Sequence, residues 1–193
     1  SHLCATDNDS GACLTLRHNR PRWIVDESDL RQFSASPFRG VDLLAGGVPC
    51  PPFSVAGKQM GNLDDRDLFP TALNLIEECS PKAVMLENVR GLSGPKFADY
   101  REYITGVLSR FDYEVSWQMV FAKDFGVPQL RPRFVLVALR KEFSPFFRFP
   151  VGSKSEVTVG EALLDLMSEQ GWAGARPWSE RADGIAPTIV GGS

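Results

Sequence analysis

Apolar residues along this chain alternate between short unbroken runs and longer stretches at helical spacing. Leu3-Cys4-Ala5-Thr6 reads as the end of a buried strand closing on Asp7, and residues 10–18 as a short helix capped by Asp9 or Ser10. Trp23-Ile24-Val25 and Val41-Asp42-Leu43-Leu44-Ala45 are short strand patterns. Asp67 opens a helix through Cys79. Pro70 is tolerated there because it falls in the first turn, where a missing N–H breaks no helical bond. Ala83-Val84-Met85-Leu86 is wholly apolar, as expected of a parallel strand covered on both faces. Phe97, Tyr100, Ile104, Val107, Leu108 and Phe111 recur at helical spacing. Residues 115–121 and 134–139 predict two strands around a loop carrying Gln129, Arg131 and Arg133. Thr158-x-x-Glu161 is a capping box ahead of an amphipathic helix ending near Gly171.

This alternation predicts an α/β fold with a doubly wound, mostly parallel sheet. In such a sheet ligands sit at the carboxyl ends of the strands. Asp7, Asp29, residues 46–54 and Glu87 all follow strand patterns, so they converge on one crevice. A length of 193 residues suits one domain and the start of another. The Pro/Gly/Ser-richer residues 149–155 are the best boundary, and the stretch beyond them reads as loop-rich.

Composition narrows the function classes. No stretch is long and apolar enough to span a bilayer and no leader is visible, so an intracellular protein is expected. Cys4, Cys13, Cys50 and Cys79 show no paired spacing, and the only histidines are His2 and His18, so no metal site is expected. A net charge of −3 does not announce a nucleic-acid binder. Basic residues nevertheless gather between positions 126 and 150, where Arg131, Arg133, Arg140, Lys141 and Arg148 face a single acid, Glu142. Such an edge suits one cationic cleft wall, or simply a solvated surface.

The candidate chemistry begins at Pro49-Cys50-Pro51-Pro52-Phe53-Ser54. A cysteine in a proline-rigid turn after Gly46-Gly47 presents its sulfur at one angle, and its reactive form is the thiolate. Glu87 follows an apolar run, where partial burial suits a carboxylic acid that donates a proton, and Asn88 can tie the loop down. Arg131 and Arg133, two apart on an extended segment, share a face and can point two guanidinium forks into one cleft. Each feature alone also has a structural reading. Pro-Cys can be a simple turn, Glu87 can cap an element or pair with Arg90, and the arginines can precede a strand on the surface.

Taken in order, Pro49-Cys50, Glu87-Asn88-Val89, Gln129-x-Arg131-x-Arg133 and Gly184-Ile185-Ala186-Pro187-Thr188 resemble the DNA cytosine-5 methyltransferases. The resemblance implies transfer of a methyl group from S-adenosylmethionine to C5 of a cytosine flipped out of double-stranded DNA. Cys50 would be the nucleophile, Glu87 the acid, and Arg133 a contact at the cytosine. Ser54, Lys58, Gln59, Gln129, Arg131 and Thr188 would meet the nucleic acid. Asp7, Asn8, Asp29, Leu30, Pro49 and Leu68 would line the cofactor, with Asn8 standing where the family often has an aromatic residue. Residues 1–150 correspond to a catalytic domain, and residues 151–193 to a linker and the beginning of a target-recognition region. The family's first strand and glycine-rich loop would precede Leu3, and its last helix would follow Ser193. Further residues of the same protein, or a second chain, are therefore expected to complete the cofactor site. An RNA cytosine-5 methyltransferase and a non-catalytic DNA- or partner-binding fragment are the alternatives.

Overall fold

The computed structural model describes residues 1–49, 67–153 and 156–189. Strands β1 (Ala5–Asp7) and β2 (Val25–Glu27) flank helix α1 (Ser10–Asn19) and pair in parallel, with Ala5 opposite Val25. Strand β3 (Leu43–Gly47) leads through residues 50–66 to helix α2 (Phe69–Cys79) and then strand β4 (Ala83–Val89). Helix α3 (Ala98–Arg110) precedes strands β5 (Tyr113–Phe121) and β6 (Pro132–Arg140). Helices α4 (Val159–Ser168) and α5 (Ala175–Arg181) follow. The second sheet runs in the order β3-β4-β6-β5, parallel at β3–β4 and antiparallel at β4–β6 and β5–β6. The α/β architecture is thus present with mixed pairing. Helical crossovers make the parallel pairs, and the β5–β6 hairpin makes an antiparallel one.

One face of the larger sheet carries Val84, Leu86, Phe134, Leu136 and Ala138, all buried against Phe69, Leu73 and Ile76 of α2 and Ile104 and Leu108 of α3. Alternation along the strands puts Met85, Glu87, Val89, Arg133 and Val135 on the opposite face, where Met85 and Val89 are exposed. The core therefore fixes the height and register of β4 and β6 while leaving their other face available for chemistry.

Local signals explain most element ends. Asp9 caps α1 by accepting from the Ala12 N–H at 2.6 Å. Thr158 and Glu161 form the expected reciprocal capping box on α4. Helix α2 begins at Phe69, two residues after the expected start, because Asp67 lies outside it and accepts from the Phe69 N–H at 3.0 Å. Strands β2 and β3 also begin two residues late. Trp23 donates to the Arg20 carbonyl and Val41 to that of Phe38, so both are spent in turns before their ladders begin.

Within the loop-rich stretch after residue 150 a helix that was not expected, α5, also forms. Pro177 falls in the first turn of that helix, where it is tolerated. Helices α4 and α5 pack so closely at Gly160 that an added Cβ would lie 2.1 Å from the Ser179 carbonyl oxygen. Among the described residues no helix is long and apolar enough to cross a membrane.

Candidate active site

Strands β3 and β4 end side by side, and their register sets the site. Gly46 lies opposite Leu86 and Gly47 opposite Glu87. Beyond the ladder, the Val48 N–H donates to the Glu87 carbonyl at 3.2 Å. The Asn88 side chain, only 3% exposed, donates through Nδ2 to the Val48 carbonyl at 2.7 Å and accepts from the Val89 N–H at 2.8 Å. Val48 itself is buried in the main core. The chain is thus fixed through Val48, one residue short of the exposed Pro49. Cys50, Ser54, Lys58 and Gln59 lie outside the described residues.

Asn88 satisfies two backbone groups at once, which makes it a sensitive position. Asn88→Leu is expected to remove both bonds, at about 1–3 kcal/mol for the buried Val48 carbonyl and less for the part-buried Val89 N–H. A urea titration should show a lower midpoint with an unchanged slope. A midpoint equal to the parent's contradicts this role.

Glu87 sits on the open face of β4, with its side chain 44% exposed. It forms an ion pair with Arg133 of β6, Oε1 to Nε, rather than with Arg90. The register explains the pairing. Glu87 faces Val135 and Val89 faces Arg133, so Glu87 and Arg133 are diagonal neighbours on one face, within reach of long side chains. Gly47 completes the corner, because a Cβ there would lie 3.3 Å from Glu87 Oε2. A larger residue would crowd the carboxylate. Sequence reasoning took Gly46-Gly47 only as a turn signal and missed this role.

The expected common face of the two arginines does not follow from strand alternation. Arg131 precedes β6 and has a φ of 30°, a left-handed backbone, so strand alternation does not carry to it. The wider basic edge is also divided. Arg140 lies at the far end of β6, stacked over Tyr113 at 4.3 Å and donating to the Phe111 carbonyl, and Lys141 pairs with Asp112 at 2.7 Å. Arg148 donates to the Pro145 and Phe147 carbonyls. Of these basic residues, Arg133 is the one paired with a residue of the strand-end site, Glu87.

The loop before β6 instead joins the last motif. Leu130 donates to the Ala186 carbonyl at 2.9 Å and Ala186 donates to that of Pro128 at 3.0 Å, so Gln129 and Ala186 bridge in parallel. This brings Gln129 and Arg131 beside the stretch ending in Thr188, a proximity that sequence order alone could not give.

A second group of residues surrounds a cleft of about 990 Å³ between β1 and β3. Asp7, Leu30, Gly46, Gly47 and Val48 line it, together with Leu3, Phe33 and Leu44. Asp7 accepts the Asp9 N–H through Oδ1 at 2.9 Å. Asn8, Asp29, Pro49 and Leu68 are not part of the lining. Asp29 is engaged with Arg31 at 2.9 Å, and Leu68 packs against the main core instead. Among the described residues, neither β1 nor β3 has a ladder partner on the side facing this cleft.

Residues 1–188 match the family described as C-5 cytosine-specific DNA methylase. The chain belongs to that family. It is 53% identical over 191 residues to the type II methyltransferase M.NgoMIV of Neisseria gonorrhoeae, covering 98% of this chain and 61% of that protein. It is 52% identical over 196 residues to M.NaeI of Lentzea aerocolonigenes, covering 100% of this chain and 48% of that protein. The chain therefore spans about half to three fifths of these relatives. Among solved structures, the S. pombe Dnmt2 methyltransferase superposes with a TM-score of 0.64 at 18% identity, covering 96% of this chain and 63% of that one. A Spodoptera frugiperda DNMT2 mutant gives 0.62 at 21%, covering 79% and 47%. These likenesses fix the fold as that of a methyltransferase.

Proposed function

We propose that the protein containing this chain transfers a methyl group from S-adenosylmethionine to C5 of cytosine in double-stranded DNA, in the manner of a restriction–modification methyltransferase. The observation that carries the reading is the corner where Val48-Pro49, Glu87 and Arg133 meet at the ends of β3, β4 and β6. Family membership and the type II methyltransferase relatives support it. Residues 1–150 serve as the catalytic domain and residues 151–193 begin the recognition region.

Cytosine C5 is too weak a nucleophile to take a methyl group unaided. The Cys50 thiolate adds to C6, forming a C–S bond and moving the ring electrons toward C5. Glu87 hydrogen-bonds N3 as negative charge develops, and Arg133 holds the same edge of the base and orients the carboxylate. S-adenosylmethionine, when bound, supplies an electrophilic methyl group. Transfer would leave the donor as a neutral thioether; the C5 proton then passes to water and the C6–S bond breaks, which releases the product and regenerates the thiolate. Sulfur and methyl must approach opposite ring faces, so the base is extrahelical. Arg131, Gln129 and Thr188, together with Ser54, Lys58 and Gln59, hold the nucleic acid around it.

The cleft between β1 and β3 fits the cofactor. Its volume lies in the range of small-molecule sites, with the Asp7 carboxylate at one strand end and apolar Leu30 and Phe33 on its wall. Asp7 offers an acceptor for ribose hydroxyls. Asn8, Asp29, Pro49 and Leu68 stay in the proposed cofactor set on the family resemblance alone, since none of them lines the cleft. A strand from elsewhere in the protein, or from a second chain, pairs with the open sides of β1 and β3 and carries the remaining contacts.

The deciding experiment incubates the full-length protein with methyl-labelled S-adenosylmethionine and either duplex DNA or transfer RNA. Label recovered as 5-methylcytosine in DNA supports the reading. Label confined to RNA moves the protein to the RNA alternative, and label in neither supports a non-catalytic role.

A further inference from the structure

One buried carboxylate plays no part in the chemistry above. Asp67 is 9% exposed and stands immediately after residues 50–66. Its Oδ1 accepts from the Phe69 N–H at 3.0 Å, and its Oδ2 accepts from the Tyr100 hydroxyl on α3. Phe69 is fully buried and meets the Tyr100 ring edge-on at 5.8 Å. Satisfying the Phe69 N–H at the start of α2 needs only the first of these bonds. The second refers the carboxylate to another helix, so Asp67 cannot rotate or slide without losing a hydrogen bond in a largely water-free place.

The other end of the same segment is held in a comparable way. Val48 is tied to β4 by the Asn88 side chain and the Glu87 carbonyl, and Val48, Phe69 and Tyr100 belong to one core. The chain is therefore fixed to a neighbouring element on either side of residues 50–66, to β4 at Val48 and to α3 at Asp67.

We propose that the Asp67–Tyr100 pair is a positioning device for the segment carrying Cys50, setting where that segment rejoins the fold. The proposal rests on the reading of Cys50 as the nucleophile. Reaction needs the sulfur and the surrounding contacts within a narrow range of positions, and a shift of about 1 Å can cost on the order of a hundredfold in rate. Releasing one end of the segment widens the set of arrangements from which the reactive one must be found. Asp67 and Tyr100 are thus positioning residues that touch neither substrate nor cofactor.

The test uses the full-length protein and duplex DNA carrying 5-fluorocytosine at the target position. The rate of covalent adduct formation is followed in a single turnover at saturating DNA and S-adenosylmethionine. Tyr100→Phe removes only the hydroxyl and keeps the ring against Phe69, and Asp67→Asn alters the partner. Each variant is expected to slow the adduct roughly tenfold or more, with S-adenosylmethionine affinity unchanged. The double variant should be no slower than the slower single one, because both disrupt the same contact. Variants that melt lower yet form the adduct at the parent rate would reduce the pair to a helix cap and overturn the proposal. A parent protein that forms no adduct removes the Cys50 reading itself, and the proposal with it.

Discussion

Cys50→Ser is expected to abolish methyl transfer to DNA while leaving the melting temperature and the affinity for duplex DNA close to those of the parent. A serine hydroxyl is of similar size, so the exchange adds no bulk. Its oxygen stays protonated at neutral pH and adds to C6 far less readily than a thiolate. The anchoring of Val48 by Asn88 and Glu87 does not depend on the sulfur, which is why stability should be spared. Label transfer from S-adenosylmethionine and a thermal melt, run on the same preparation, separate the two effects. Retained transfer contradicts the assignment, and a collapsed melt reassigns Cys50 to the structure.

The second large effect concerns the cleft between β1 and β3. Residues 1–193 expressed alone are expected to be loosely packed and to bind S-adenosylmethionine poorly. Leu43 on β3 is 50% exposed and Leu3, just before β1, is 43% exposed, although both belong to patterns that read as buried strand. The strand edges beside them face the same cleft without a ladder partner among the described residues. Water can satisfy those amides, but it leaves the apolar lining exposed and the edges open to self-association. Total domain stability is only about 5–15 kcal/mol, so an unfilled gap in the middle of the fold weighs heavily. Dye binding to exposed apolar surface, loss of near-ultraviolet dichroism and concentration-dependent association are the expected signs. A cooperative melt together with micromolar S-adenosylmethionine affinity contradicts this account of the cleft.

Much of this fold could be read where the signal is local. The Thr158–Glu161 box, the cap at Asp9 and the tolerated Pro70 each rest on neighbours in sequence, and each was found as expected. Pairing is not a local property. The apolar run at residues 83–86 gave no sign that β4 continues through Val89, because Glu87 and Asn88 are held there by ladders to β3 and β6. Strand direction was equally hidden, since periodicity is the same for parallel and antiparallel partners. Helix α5 was missed because Arg176-Pro177-Trp178 carries a breaker that is harmless only in the first turn.

The site divides along the same line. Residue types and order pointed to Glu87, Arg131 and Arg133, but the ion pair between Glu87 and Arg133 comes from a diagonal across β4 and β6. Arg131 was expected to share a face with Arg133, and its left-handed backbone just before the strand prevents that inference. Of the residues proposed at the cofactor, Asp7 and Leu30 line the cleft, whereas Asp29 is turned to Arg31. Gly47, Asp67 and Tyr100 could not be singled out, because their roles are defined by contacts with other elements.

The most direct test is to locate the covalent bond. The full-length protein is incubated with S-adenosylmethionine and a duplex holding 5-fluorocytosine, which blocks loss of the C5 substituent and traps the adduct. The complex is then digested and the nucleotide-bearing peptide identified by mass spectrometry. The account predicts a single modified peptide with the nucleotide on Cys50. An adduct on Cys4, Cys13 or Cys79, or none despite active methyl transfer, would contradict it.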